Sequence, residues 1–101
     1  MAQAVRIAST SDLAPGECKV IETNGRTLAL FNVGGTFYCI DNTCPHSGGP
    51  LGEGSLDGDS VTCPWHGWSF NVKDGSCIFN VGLKQDVFPV TVQGDDLLIQ
   101  I

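Results

Sequence analysis

The amino-acid sequence predicts an all-β fold, an antiparallel β-sandwich or small barrel. Short runs rich in Val, Ile and Thr alternate with turn signals along the whole chain, which is the pattern of serial hairpins. Gly occurs 13 times, and no long stretch of Ala, Glu, Lys and Leu favours a helix. With 101 residues, of which 42% are hydrophobic, the chain is long enough for one modest core and too short for two. We therefore expect a single domain over residues 1–101.

The first half of the chain predicts an N-terminal strand and then a three-stranded meander. The first strand is Ala4–Ala8, and a polar connection follows over Ser9–Gly16. The strands of the meander are Cys18–Glu22, Arg26–Val33 and Thr36–Ile40. Asn24-Gly25 is a strong hairpin signal between the first two, and Gly34-Gly35 supplies the second turn.

The second half alternates predicted strands with irregular loops. The stretch 41–59 contains two prolines, five glycines and four acids, and a long irregular loop in a compact domain is usually functional. Shorter loops are predicted at Pro64–Gly67 and Asn80–Gln85, and turns at Lys73–Gly75 and Gly94–Asp96. The strands between these breaks are Ser60–Cys63, Trp68–Val72, Ser76–Phe79, Asp86–Gln93 and Leu97–Ile101.

The charge of the chain excludes several classes of partner. The net charge is −6, from 11 acidic and 5 basic residues, so the chain repels nucleic-acid phosphates and anionic lipid surfaces. Such a charge favours a basic protein partner, or serves solubility alone. The N-terminus has no apolar run of the ~7–15 residues that a secretory signal needs, and no stretch approaches the ~20 apolar residues of a membrane span. The sequence thus predicts a cytoplasmic protein.

The five cysteines point to a metal site. Their number is odd and the N-terminus gives no sign of export, so a complete disulfide framework is not expected. Two of them belong to the motifs Cys44-Pro45-His46 and Cys63-Pro64-Trp65-His66, which are 16 residues apart and contain both histidines of the chain. Residues i and i+2 of an extended segment point to the same side, so Cys44 and His46 can be presented together. Cys63 and His66 are three residues apart, and a turn between them allows the same from the opposite loop. Two facing loops would then offer two thiolates and two imidazoles to one bound centre.

This pattern, C-x-H followed by C-x-x-H, closely resembles the ligand motif of the Rieske iron–sulfur family, and the order of hairpins and loops resembles that family over most of the chain. The resemblance implies one [2Fe–2S] cluster, with Cys44 and Cys63 on the inner iron and His46 and His66 on the outer iron. It also implies a Rieske-like fold with a small cluster-binding subdomain of two loops, here about residues 41–82. Because imidazoles replace two thiolates, such a cluster is reduced more easily than an all-cysteine one.

Four positions distinguish this chain from the high-potential Rieske proteins of respiratory complexes. Those proteins cross-link their cluster loops by a disulfide, where this chain has Gly49 and Trp65. They also place Ser and Tyr hydroxyls beside the cluster, where this chain has Trp68 and Phe70. Without these donors we expect a potential toward the low end of the Rieske range, which runs from about −150 to +300 mV. The proline-rich third loop of many relatives corresponds to 78–85, which contains no proline.

The resemblance implies a mobile one-electron carrier and not an enzyme. Its expected donor is a flavin-dependent ferredoxin reductase, and its expected acceptor is a terminal oxygenase, usually a Rieske non-haem iron dioxygenase. The chain should not itself be an oxygenase, because a mononuclear iron site needs two further histidines and a carboxylate. A monomer is the expected state of such a carrier.

Two other functions stay open. The first is a small subunit of a larger reductase, as in the nitrite reductase small-subunit relatives, which would expose a larger apolar interface and copurify with its partner. The second is a zinc-stabilised binding module, since two cysteines and two histidines are also a zinc set, although C-x-H is unusual there. Colour distinguishes the zinc module from a Rieske protein, because zinc sites are colourless and Rieske proteins are brown to red.

The remaining candidate residues have both structural and functional explanations. Beside His66 we expect Trp68 to pack inside and Trp65 to be an exposed contact for a redox partner. We expect the three cysteines outside the motifs to be small core residues: Cys18, Cys39 and Cys77. For Cys18 a surface position is an equal alternative. Three acids of the long loop either form a docking patch or are simply solvated: Glu53, Asp57 and Asp59.

Overall fold

The computed structural model describes residues 4–23, 25–43, 50–65, 68–77 and 85–100. These residues form ten strands and two 3-10 turns, and no α-helix occurs among them. The strands are β1 (Ala4–Ser9), β2 (Cys18–Thr23), β3 (Arg26–Val33), β4 (Thr36–Asp41), β5 (Ser55–Asp57), β6 (Ser60–Thr62), β7 (Ser69–Asn71), β8 (Val87–Phe88), β9 (Val90–Gln93) and β10 (Asp96–Gln100). The 3-10 turns are Thr10–Asp12 and Leu51–Glu53. The predicted all-β class is confirmed, and none of the described helical segments could span a membrane.

The strands pair antiparallel in three sheets, ordered β2-β3-β4-β8, β1-β10-β9 and β5-β6-β7. The predicted meander is confirmed in the first sheet, where Cys18 lies opposite Phe31 and Val33 opposite Thr36. Its second turn depends on glycine, because Gly34 has a φ of +59°, a left-handed conformation that a Cβ atom disfavours. We call this four-stranded sheet the central sheet.

β3 separates two hydrophobic clusters. Its residues Leu28–Phe31 are fully buried, so both faces of the central sheet are covered. Successive strand residues point to opposite faces, and alternate residues of β3 accordingly belong to different clusters. One of them, the loop cluster, contains Ala29, Phe31, Ile40, Leu51, Val61, Cys63, Phe70, Val72 and Cys77. It joins the central sheet to β5–β7, and the other cluster joins the central sheet to β1 and β10.

Pro89 divides the segment that the sequence predicts as one strand, Asp86–Gln93. β8 pairs with β4 in the central sheet, whereas β9 pairs with β10 in another sheet. Proline has no backbone N–H to donate to a ladder, and the chain changes sheets at this residue. The prediction of a single strand is therefore wrong, while the hairpin that ends the described chain is confirmed as β9–β10.

The stretch 41–59 is less irregular than its composition indicates. β5 lies within it and pairs with β6, with Leu56 opposite Val61, and Gly58 makes the turn with a φ of +62°. Asp41 also belongs to β4. The prediction of an irregular loop is wrong for these residues, because three-residue strands are too short to leave a periodic pattern in the sequence.

Two other predicted features differ from the structure. Ser76–Phe79 is not a strand over its described part, where Cys77 makes an isolated bridge to Phe70; Ile78 and Phe79 lie outside the described residues. β1 pairs with β10, so that Ala4 lies opposite Gln100 near the two ends of the chain. Serial hairpins predict only pairs between neighbouring strands, so this long-range pair is a new observation.

Candidate metal centre

Among the four predicted ligands the structure describes Cys63, and Cys44, His46 and His66 lie outside the described residues. The structure does describe the chain on both sides of each motif. These flanking segments are 41–43 and 50–54 for the first loop, and 60–65 and 68–71 for the second. They decide whether the two loops can face a common centre.

The second loop is the tip of the β6–β7 hairpin. The ladder ends with Thr62 opposite Ser69, whose hydroxyl oxygens lie 3.0 Å apart. Beyond this pair the backbone N–H of Cys63 donates to the carbonyl oxygen of Trp68 at 2.7 Å. Cys63 is 1% exposed and belongs to the loop cluster. The hairpin therefore directs this predicted ligand into the protein.

Exposure rises steeply along the same tip. Pro64 follows buried Cys63 and is exposed, and Trp65 is 59% exposed. Trp68, on the returning side, is half-buried and packs against the loop cluster. The predicted placement of the two tryptophans, one at the surface and one in packing, is confirmed. The tip thus leads from the core to the surface within two residues.

The first loop begins after β4 and is closed by backbone pairs. Thr43 forms an antiparallel bridge with Pro50. Beside this bridge the N–H of Leu51 donates to the carbonyl oxygen of Asn42 at 2.8 Å. The N–H of Gly52 donates to the side-chain oxygen of Asn42 at 2.7 Å. Asn42 is buried, so its main chain and its side chain together fix the returning leg of the loop, residues 50–54.

This returning leg packs on β6, the strand that enters the second loop. A Cβ atom at Gly54 would lie 2.2 Å from the carbonyl oxygen of Thr62, so only glycine allows this approach. Leu51 of the leg and Val61 of β6 both belong to the loop cluster, together with Cys63. The bases of the two predicted loops are therefore held side by side.

A third segment reaches the first loop through Gln85, which is 7% exposed. Its side-chain Nε2 donates to the carbonyl oxygen of Asp41 at 2.9 Å and also to that of Thr43. The rest of the predicted third loop, residues 78–84, lies outside the described residues. The roles of Gln85 and Asn42 were not predicted from the sequence, because an amide side chain next to a predicted loop is by itself only a weak signal.

Two of the three cysteines outside the motifs have a raised thiol pKa, which favours the protonated form. Cys39 and Cys77 are buried, as predicted, and Cys18 is half-buried. Burial raises the pKa of the Cys39 thiol to about 12. Burial also raises the pKa of Cys18, whose Sγ donates to the carbonyl oxygen of Gly54 at 3.4 Å.

The loop acids lie in two settings. Glu53 and Asp57 are exposed, and the carboxylate of Asp59 lies 3.8 Å from the Nζ atom of Lys73. An exposed pair of this kind contributes little to stability. The alternative of an acidic docking patch stays a prediction.

Comparison with known proteins agrees with this arrangement. Residues 3–98 match the family described as the Rieske [2Fe-2S] domain. The ferredoxin component of biphenyl 2,3-dioxygenase from Rhodococcus jostii is 35% identical over 97 residues, which cover 95% of this chain and 91% of the relative. A chain in the solved complex of reduced oxygenase and oxidized ferredoxin in carbazole 1,9a-dioxygenase has a TM-score of 0.88 and 34% identity, covering 95% of this chain and 91% of that chain.

A more distant structure shares the fold. It is a proposed NADH-dependent nitrite reductase small subunit from Mycobacterium tuberculosis, with a TM-score of 0.90 at 22% identity, covering 100% of this chain and 96% of the other. This likeness shows a common fold and carries no functional argument. The family match extends over nearly the whole chain, and it includes both predicted ligand motifs. This chain therefore belongs to the Rieske [2Fe-2S] domain family.

Proposed function

We propose that this chain is a one-electron carrier whose single Rieske [2Fe–2S] cluster is held by Cys44, His46, Cys63 and His66. The observation that carries the proposal is the tip of the β6–β7 hairpin, where buried Cys63 and exposed Trp65 are two residues apart. A cluster bound at this tip would have its cysteine side within the protein and its histidine side toward a partner.

The described residues suit such a cluster. Thiolates are the ordinary ligands of iron–sulfur clusters, and two histidines replace two cysteines in the Rieske type. Cys63 lies among apolar side chains that include Leu51, Val61 and Phe70, and these exclude water from its sulfur. When bound, the cluster supplies the reversible gain and loss of one electron.

The protein's own contribution is to hold the ligands and to set their surroundings. Asn42 fixes the returning leg of the first loop, and the backbone hydrogen bond from Cys63 to Trp68 closes the second loop. A site held in this way needs little rearrangement when the charge changes, which favours fast electron transfer. Phe70 is fully buried and has no hydroxyl to donate to a reduced cluster.

The partners in this proposal are a flavin-dependent ferredoxin reductase as donor and a terminal oxygenase as acceptor. Relatives with 35% identity are ferredoxin components of dioxygenase systems, which are electron-transfer components and not the catalytic ones. A solved complex places such a ferredoxin with its oxygenase. Exposed Trp65 and the net charge of −6 suit a partner with an apolar contact and a basic rim. We propose that the carrier works as a monomer in the cytoplasm.

An electron paramagnetic resonance spectrum of the dithionite-reduced protein tests the proposed cluster. We expect two irons and two sulfides per chain, and a rhombic signal whose average g value is below that of all-cysteine clusters. Cys63→Ser and His66→Ala should lose this signal, and Cys18→Ser should keep it. A colourless protein that contains zinc would instead support the binding module, and stable copurification with a reductase would support the subunit role.

A further inference from the structure

The side-chain amide of Gln85 binds the entry to the first loop. Its Nε2 donates to the carbonyl oxygen of Asp41 at 2.9 Å and to the carbonyl oxygen of Thr43. Both hydrogens of this amide nitrogen are thus used on the carbonyls on either side of Asn42. Because Gln85 is 7% exposed, losing these bonds would leave a buried amide without its acceptors, which is unfavourable.

The backbone of Gln85 is anchored to the segment that follows the second loop. Its N–H donates to the carbonyl oxygen of Gly75 at 2.7 Å, and the N–H of Gly75 donates to the carbonyl oxygen of Asn71 at 2.8 Å. Asn71 is the last residue of β7, which returns from the second loop. A Cβ atom at Gly75 would lie 2.3 Å from the carbonyl oxygen of Gln85, so this approach requires glycine. Gln85 therefore connects β7 to the entry of the first loop.

The carbonyl of Thr43 belongs to the peptide unit that joins Thr43 to the predicted ligand Cys44. A peptide unit is planar, so a donor held on its oxygen restrains the orientation of the whole unit that leads to position 44. The same hydrogen bond polarises the peptide and strengthens its N–H as a donor. The side chain of Asn42 fixes the returning leg, so that the entry and the exit of the loop are each held by one buried amide.

We propose that Gln85 is a positioning residue for the cluster, which orients Cys44 and ties the first loop to the strand leaving the second. The proposal rests on the ligand set of the proposed function. The hydrogen bonds of Gln85 are a noncovalent counterpart of the loop disulfide in high-potential Rieske proteins. In this chain Gly49 and Trp65 occupy the positions of the two cysteines that form that disulfide. Residues that orient a metal ligand change metal affinity by about 10- to 100-fold. The effect of Gln85 should therefore be visible in the cluster itself.

The test compares Gln85→Met with Gln93→Met in the cluster-loaded protein. Methionine keeps the length of the side chain and removes both donors, and Gln93 is exposed on β9, which makes it a matched control. We expect Gln85→Met to release iron to a chelator at least about 10-fold faster than Gln93→Met. We also expect altered g values and a shifted midpoint potential for Gln85→Met, which a loss of stability alone would not cause. Equal release rates and identical spectra for the two variants would overturn the proposal.

A measurement on the wild-type protein makes the test independent of how the variant folds. Hydrogen exchange of the Gln85 side-chain amide should be at least about 10-fold slower than that of the exposed amides of Gln93 and Gln100. Equal exchange rates would show that the Gln85 side-chain amide does not hold the first loop, even if Gln85→Met did not fold. A protected amide in a wild-type protein without the mixed-ligand signal would refute the proposed function, and the positioning role with it. A normal wild-type signal that Gln85→Met leaves unchanged would refute the positioning role alone.

Discussion

The backbone N–H of Cys63 donates to the carbonyl oxygen of Trp68 at 2.7 Å. This bond continues the β6–β7 ladder beyond its last paired residues, Thr62 and Ser69, and closes the loop that contains the second ligand motif. Within this loop Cys63 is buried and Trp65 is exposed. The two tryptophans at the tip should therefore have separable roles, one toward a partner and one toward the fold.

Trp65→Ala should weaken electron transfer to a partner and leave stability nearly unchanged. Trp65 is 59% exposed, so its removal should change the free energy of unfolding by less than about 0.5 kcal/mol. An exposed aromatic residue at an interface often contributes more than about 1 kcal/mol to binding. We expect kcat/KM for a terminal oxygenase that the wild-type protein reduces to fall about fivefold or more. Oxygenase turnover at varied carrier concentration measures this effect.

Trp68→Ala is the matched comparison. Trp68 packs against the loop cluster, so its truncation should lower the free energy of unfolding by about 2–4 kcal/mol. Chemical denaturation of both variants measures the difference. If Trp65→Ala proved the more destabilising of the two, or left oxygenase turnover unchanged, the division of roles would be wrong.

Gly54→Ala should disturb the contact between the two loops. The new methyl group would lie 2.2 Å from the carbonyl oxygen of Thr62, and a backbone atom of β6 cannot move away without displacing Cys63. Overpacking of this kind costs about 1–3 kcal/mol. We expect a lower unfolding midpoint together with an altered spectrum of the reduced cluster.

Gly94→Ala provides the control for this change. Gly94 has a φ of +61° and nothing within 4 Å of its Cβ position, so alanine there costs about 1 kcal/mol of backbone strain without a clash. Its spectrum should match the wild type. A Gly54→Ala protein with a wild-type spectrum would show that the returning leg and β6 are not coupled to the cluster.

The sequence predicts those parts of the fold whose signals are local. The meander of β2, β3 and β4 follows from strand patterns joined by tight turns, and each strand pairs with its neighbour in the chain. The pairing of β1 with β10, which brings Ala4 opposite Gln100, has no local signal and depends on the packing of the whole chain. The separation of β8 from β9 at Pro89 was not predicted, although proline lacks the N–H that a continuous ladder needs.

The candidate site likewise has parts with a local sequence signal and parts without one. The two motifs can be identified from residue types and spacing, and the resemblance to the Rieske family assigns them to a cluster with two thiolate and two imidazole ligands. The buried position of Cys63 agrees with that assignment, and Cys44, His46 and His66 lie outside the described residues. Gln85 could not be found in this way, because its amide acts on backbone carbonyls, and every residue has one.

Cys39 should make the protein less stable at alkaline pH. Burial raises the pKa of its thiol from 9.0 to about 12. Between these values the folded protein keeps a proton that the unfolded chain has lost, so the free energy of unfolding falls as the pH rises from about 9 toward 12. This thiol alone contributes a slope of up to about 1.4 kcal/mol per pH unit.

Urea denaturation at several pH values between about 8 and 11 measures this slope. Cys39→Ala should be less stable than the wild type at pH 8, because it removes a buried side chain, and its stability should then fall less steeply as the pH rises. Cys18→Ala, at a half-buried position, should change the slope less. Parallel curves for the wild type and Cys39→Ala would show that this thiol is not the group responsible.

The reduction potential should lie toward the low end of the Rieske range, below about +100 mV. Reduction adds one negative charge to the cluster, and donated hydrogen bonds stabilise that charge. Neither Trp68 nor Phe70 has a hydroxyl at the positions where high-potential relatives have serine and tyrosine. Phe70→Tyr restores one hydroxyl next to the site. If it contributes about 1 kcal/mol to the reduced form, the midpoint rises by on the order of 40 mV.

Voltammetry of the wild type and Phe70→Tyr measures both quantities. Phe37→Tyr is the control, because Phe37 packs against the other hydrophobic cluster, and its midpoint should equal that of the wild type. A wild-type midpoint above about +100 mV would contradict the low-potential assignment. An equal rise in both tyrosine variants would mean that the hydroxyl does not act at the cluster. A rise in Phe70→Tyr alone would place residue 70 within reach of the added charge and link the buried face of β7 to the potential of the carrier.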